Sequence, residues 1–97
     1  MPTVEELVNR VPEVKREMRN NNQRMLDDWY YVGSTIVRRG NVYDIMAVGI
    51  DYNGDAKVKR YSVARSAKKA QDELRWCDGE YIRTSRGTYD IMMTRVV

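Results

Sequence analysis

The stretch Trp29–Val63, WYYVGSTIVRRGNVYDIMAVGIDYNGDAKVKRYSV, holds two turn signals between three runs of strand-forming residues. Gly40-Asn41 and Asn53-Gly54 tolerate the left-handed backbone that a two-residue hairpin loop requires. Trp29 to Arg39, Val42 to Asp51 and Ala56 to Val63 are rich in β-branched and aromatic residues, which favour a pleated surface. The expectation is an antiparallel meander over residues 29–63. With both loops taken as two-residue turns, Arg38 faces Tyr43, Ile36 faces Ile45 and Ile50 faces Lys57. One face then carries Ile36, Tyr43, Ile45, Ala47 and Val58; the other carries Val37, Val42, Met46, Val48, Ile50 and Val63. A sheet that is apolar on both sides needs cover on both sides, from helices or from another subunit.

The flanking segments read as helices. Thr3-Val4-Glu5-Glu6 fits a capping box. Val4, Leu7, Val11, Val14, Met18 and Met25 then recur at heptad spacing, Asn21 being the gap. Pro12 removes a backbone donor and should end one helix or open the next, which predicts helices over about 3–10 and 12–28. Asn20-Asn21-Asn22 is a weak point in the second, because Asn side chains compete for backbone hydrogen bonds. The stripe Val11, Val14, Met18 and Met25 has two uses open to it. It can lie on the chain's own sheet, or it can pair with a second copy and make a homodimer.

Beyond the meander, Val63, Ala67, Ala70, Leu74 and Cys77 share a helical face, predicting a helix over about 64–77 that Gly79 terminates. Glu80 to Thr84 and Thr88 to Val97 read as a second hairpin, about 80–97, with Asp90 opposite Arg83. The expected order is α-β-β-β-α-β-β, an α+β fold around an antiparallel sheet, in a single domain spanning 1–97. An internal echo supports the hairpin. Trp29 and Trp76 each precede an Arg-Gly pair (Arg39-Gly40, Arg86-Gly87) at the same spacing, and Tyr-Asp-Ile-Met follows at Tyr43–Met46 and Tyr89–Met92. Either a helix-plus-hairpin unit is duplicated, or similar turns have reused similar residues.

Composition narrows the function. The 97 residues include no histidine and one cysteine, Cys77, against 17 Lys and Arg and 14 Asp and Glu. Zinc fingers and Ser-His-Asp triads are excluded within the chain, and no disulfide can form inside it. A lone cysteine and the lack of a leader or of an apolar run near the roughly 20 residues that cross a bilayer point to a cytoplasmic, intracellular protein with no membrane association. No phosphate-binding glycine loop is present. The Asp27-Asp28 and Asp51/Asp55 carboxylates sit where caps and turns use them, and Cys77 lies on an apolar stripe. No catalytic residues, metal site or cofactor are therefore expected, and the chain reads as a non-enzyme.

What remains is binding. Basic residues cluster at Lys15-Arg16-Arg19, Arg38-Arg39, Lys57-Lys59-Arg60 and Arg83-Arg86, interleaved with tyrosines. Guanidinium groups grip phosphate bidentately and aromatic rings stack on bases. The candidate site is Arg38, Arg39, Tyr43, Lys57, Lys59, Arg60, Tyr61, Arg83, Arg86 and Tyr89, with Arg39 and Arg86 at equivalent hairpin tips. The partner would bear phosphate: nucleic acid, nucleotide or nucleoprotein. The alternative is a small inhibitor of phage or mobile-element type that docks on a larger, nucleic-acid-handling host protein through Tyr, Trp, Met and Arg.

Overall fold

The computed structural model describes residues 1–21 and 29–86. Within them the chain runs α1 (Val4–Asn9), α2 (Val11–Asn20), β1 (Trp29–Arg39), β2 (Val42–Asp51), β3 (Ala56–Ala64) and α3 (Ala67–Tyr81), the last running into a π-helical turn, Ile82–Arg86. The three strands form one antiparallel sheet in the order β1-β2-β3. The architecture is α+β. Met25, Tyr89, the end of the helix expected to reach residue 28, and the strand expected over 88–97 lie outside the described residues.

The first helix begins as its capping box requires, with Thr3 Oγ1 accepting from the Glu6 amide at 3.1 Å. Pro12 falls in the first turn of α2, where its missing N–H is not needed, so the chain restarts there. In α3 the cap is Ser66, whose hydroxyl accepts from the Lys69 amide at 3.2 Å. The helix therefore begins at Ala67, and Ala64 completes β3.

Register follows expectation across the first turn and departs from it across the second. Arg38 pairs with Tyr43 and Ile36 with Ile45 around Gly40, whose φ is 62°. Around Gly54, with φ 81°, the loop closes between Asp51 and Asp55 instead, the Asp51 amide donating to the Asp55 carbonyl at 2.9 Å. Asp51 Oδ1 also accepts from the Asn53 and Asp55 amides, which favours this longer three-residue loop. Ile50 accordingly pairs with Ala56 and not with Lys57. A one-residue slip turns every side chain to the other face. Val58 moves to the face of Val48, and Lys57 and Lys59 move to the face of Gly49 and Ala47. A bulge at Tyr61 restores the original phase, so Ser62 pairs with Ile45.

Both faces of the sheet are covered, each by a helical layer of the same chain. On one face Ala70 and Cys77 of α3 pack with Trp29, Tyr31, Ile45, Ala47 and Ala64. On the other, Leu7 of α1 and Val11 of α2 pack with Tyr30, Val48 and Ile50, with Val14 and Met18 at the margin. Three residues of the proposed dimer stripe, Val11, Val14 and Met18, thus lie on the chain's own sheet, and Val11 is buried. Tight approaches fix the packing between α1 and the sheet and within the sheet itself. Leu7 presses on Gly33, where a Cβ would come within 2.8 Å of its Cδ2. On the other face the Trp29 ring lies over Gly49, where a Cβ would come within 2.2 Å of the ring.

The first strand of the expected second hairpin, residues 80–84, is helical instead. Gly79 does not terminate α3: Glu80 and Tyr81 continue it, and Ile82 to Arg86 form the π turn. The apolar repeat explains this, since Tyr81 prolongs the stripe of Ala70, Leu74 and Cys77 onto the sheet. A glycine inside a helix is only about 1 kcal/mol less favourable than alanine, which such burial overrides. Residues 76–86 are therefore helical where 29–39 are a strand, and the Trp-to-Arg part of the echo does not reflect a duplicated unit. Arg83 accordingly has no strand position opposite Asp90.

Gly49→Ala is expected to lower stability by roughly 1–3 kcal/mol, because Trp29 has no room to retreat. The shift would be read as a lower urea midpoint at unchanged slope; an unchanged midpoint would contradict the packing described.

Candidate functional site

The sequence-derived candidates fall in three places. Arg39 and Arg60 lie on the α1 side of the sheet and meet at Asp44. Arg38, Tyr43, Lys57, Lys59 and Tyr61 belong to the α3 side. Arg83 lies in the helical turn after α3, with Arg86 as its last residue. Arg39 and Arg86 are therefore not equivalent hairpin tips: one ends a strand and the other ends a helical segment.

Asp44 organises the first group. The residue is 8% exposed, and its carboxylate receives a two-pronged contact from Arg39, Nε at 3.0 Å and Nη2 at 3.2 Å. Arg60 Nη1 approaches Oδ1 at 3.9 Å from the neighbouring strand. Charge-assisted bonds of this kind are the strong ones. The Arg39 hydrogen bonds hold Asp44 below the usual carboxylate range against the opposing effect of desolvation, and the Arg39 and Arg60 charges add to the lowering. The guanidinium of Arg39 remains at the surface, with 60% of the side chain exposed.

Around this trio the sheet is apolar and open. Val37, Asp44 and Val63 face one another across the three strands, and Thr35, Met46 and Arg60 form the next row. Val37, Val58 and Val63 are 40%, 44% and 46% exposed. Leu7 covers the sheet near Gly33 and Val48, and the chain start covers Thr35, whose hydroxyl donates to the Pro2 carbonyl. Val37 shares a shallow cavity with the chain start, Met1 to Glu5, and neither Val37 nor Val63 belongs to the apolar cluster that α1 and α2 form with the sheet. Exposed valines beside a half-covered arginine–carboxylate cluster make a patch that composition alone did not reveal.

On the opposite side the candidates are bound into the core's polar margin. Arg38 lies 5.7 Å from the centroid of the Tyr43 ring and donates from Nε to the Gly40 carbonyl at 3.1 Å. Lys59 Nζ lies 4.1 Å from the Trp29 ring centroid, a cation–π contact that the register slip makes available. Trp29, Tyr31, Tyr61 and Tyr81 form a continuous aromatic cluster, with Trp29 and Tyr81 edge to face at 4.8 Å. Tyr61 donates to Glu80 at 2.8 Å; that bond, aided by burial, pushes its hydroxyl up to about 12.

Acidic residues of α3 face this margin and are hydrogen-bonded there. Asp78 accepts from Tyr31 and, at 2.7 Å, from Ser34, while Glu73 accepts from Ser62 at 3.0 Å. Ser85 closes the layer, accepting from the Tyr31 amide at 3.0 Å and donating to the Tyr81 carbonyl at 2.7 Å. Burial raises the Tyr31 and Tyr81 hydroxyls above their ordinary range, the Asp78 bond adding to the effect at Tyr31. Cys77 is fully buried among these groups, and desolvation pushes its thiol up to about 12. No group of three or more Cys, Asp or Glu side chains able to hold a metal occurs among the described residues. No helix of the described residues is long and apolar enough to cross a membrane.

Two measurements check these environments. A depressed carboxylate stabilises the fold fully above its unfolded value, near pH 4, and the contribution is lost as pH falls through the lower native value. The stability advantage of the wild type over Asp44→Asn should therefore be constant at neutral pH and shrink below about pH 4; a constant gap down to pH 2 would exclude the pairing. Cys77, buried and protonated, should resist a thiol reagent at pH 8 in the native protein and react at once in urea; rapid native labelling would contradict its burial.

No protein-family model, curated protein or solved structure matches the chain, so the placement of these side chains is the ground on which a function is read.

Proposed function

We propose that the chain is a non-catalytic docking protein that binds a partner protein through the sheet face centred on Asp44. The observation that carries the reading is the row Val37–Asp44–Val63, two exposed valines flanking a carboxylate held by Arg39 and Arg60. Apolar side chains surrounding a hydrogen-bonded arginine are what protein interfaces select, with arginine among the residues that contribute most per contact. An exposed arginine already hydrogen-bonded to its own carboxylate is held in one geometry, which reduces the entropy lost when a partner covers it. The same pairing weakens the case for phosphate at the β1–β2 hairpin, since Asp44 offsets the charge that would attract it. Catalysis has little support here. The α3 carboxylates Glu73, Asp78 and Glu80 are engaged by sheet hydroxyls, and Cys77 is buried with a raised thiol pKa.

The earlier expectation of a phosphate-bearing partner and that of an inhibitor docking on a host protein separate by salt and by nuclease. In an affinity capture from the native host, a protein should be retained after nuclease treatment and at moderate salt. It should be lost from Val63→Glu, a surface change expected to leave the circular dichroism spectrum unaltered. Capture abolished by nuclease, or retained equally by Val63→Glu, would remove the sheet face as the docking surface.

A further inference from the structure

The outer face of α3 is built differently from its inner face. Lys68, Asp72, Arg75, Trp76, Gly79 and, one turn beyond, Arg83 lie along one stripe at helical spacing, opposite the residues that pack on the sheet. Cations outnumber acids on the outer stripe. Glu73, Asp78 and Glu80 bond to sheet hydroxyls, whereas Lys68, Arg75 and Arg83 are exposed on the outer stripe with Asp72 as its one acid. Of the outer cations, Arg75 is paired with Asp72, at 3.5 Å; Lys68 and Arg83 make no ion pair among the described residues.

In the middle of this stripe stands Trp76, 62% exposed. A large aromatic left in water at the centre of a packed helix has no role in holding the layers together. Beside it, Gly79 sits inside α3 without a steric reason: a Cβ there would meet nothing within 4 Å. The helix accepts the penalty of glycine although a Cβ would meet no obstacle there. What glycine provides is a notch next to the indole ring, where a flat group can approach the backbone.

We infer that this stripe is a seat for single-stranded nucleic acid. An unpaired base stacks on Trp76 at the Gly79 notch, and backbone phosphates are held by Lys68 and Arg75 on one side and Arg83 on the other. At helical rise the outer cations Lys68 and Arg83 stand about 10–12 Å from Trp76 along the axis, the reach of a strand running along a helix. A stacking ring flanked by cations is the arrangement that binds unpaired bases without reading their sequence. The site is on the opposite layer from the sheet face proposed for protein docking, and neither needs the other.

The test is fluorescence anisotropy of the full chain with labelled single-stranded oligothymidylate and oligouridylate, the two arms separating DNA from RNA. Binding should weaken steeply as salt rises. Trp76→Ala should weaken it at least tenfold with unchanged circular dichroism, and Trp76→Phe should retain part of it. Gly79→Leu is the discriminating variant: it should raise the thermal midpoint, because leucine favours helix, yet lower the affinity by a similar factor by filling the notch. Val63→Glu should bind as the wild type does. Absence of binding by the wild type at low salt, or wild-type affinity in both Trp76→Ala and Gly79→Leu, would overturn the inference. Displacement by polyglutamate as effective as by unlabelled oligonucleotide would overturn it too, reassigning the stripe to acidic polypeptides.

Discussion

A three-stranded sheet with apolar side chains on both faces cannot be left open to water on either, and the rest of this fold answers that constraint. The strands alone would expose Trp29, Tyr31 and Ile45 on one side and Tyr30, Val48 and Ile50 on the other. Each of these side chains contributes roughly 1.5–3 kcal/mol when fully buried, far more than any exposed ion pair of the chain. The helices are accordingly placed by burial, α3 on the Trp29 face and α1 with α2 on the Val48 face. Glycines make room where packing is tightest: Gly33 lets Leu7 of α1 close on the sheet, and Gly49 lets the Trp29 ring of the neighbouring strand lie flat across β2.

The layering also distributes the polar groups. Between α3 and the sheet, five hydroxyls find a carboxylate or carbonyl: Tyr31 and Ser34 at Asp78, Ser62 at Glu73, Tyr61 at Glu80, Ser85 at Tyr81. Buried polar groups are costly when unpaired, so these bonds specify how the helix sits as well as how far away it lies. Drawing Glu73, Asp78 and Glu80 towards the sheet leaves the outer surface of α3 to cations, the Arg75-paired Asp72 and one tryptophan. On the far face, among the described residues, the part of the sheet away from Leu7 carries the exposed Val37 and Val63 and the Arg39–Asp44–Arg60 cluster. The two surfaces proposed for binding are thus consequences of how the core is closed.

Much of the fold was legible in local patterns. The β1–β2 turn, the pairing of Arg38 with Tyr43, the capping box at Thr3 and the restart at Pro12 all rest on contacts between residues close in sequence. Two readings failed for reasons of competition. Asn53-Gly54 accommodates a two-residue or a three-residue loop, and the amides that Asp51 satisfies favour the longer one, which carries Lys59 to Trp29. Gly79 is a strong local stop signal, but the burial of Tyr81 beyond it outweighs that signal. The candidate site was less legible. Basic residues can be found by inspection, but nothing in their spacing shows that Asp44 gathers two of them. Trp76 stands out in the sequence only as part of the echo.

By itself the sequence determined the elements whose cause is local: strands where β-branched and aromatic residues crowd between turn glycines, helices where caps precede a periodic apolar stripe, and a chemistry without histidine or disulfide. Only the tertiary structure decided which side chains share a surface. A single-residue loop extension inverts the faces of Lys57 to Arg60, and a helix prolonged past a glycine moves Arg83 from a strand to a helical turn. Such choices turn on the burial of residues far apart in the chain, and no local spacing encodes that burial.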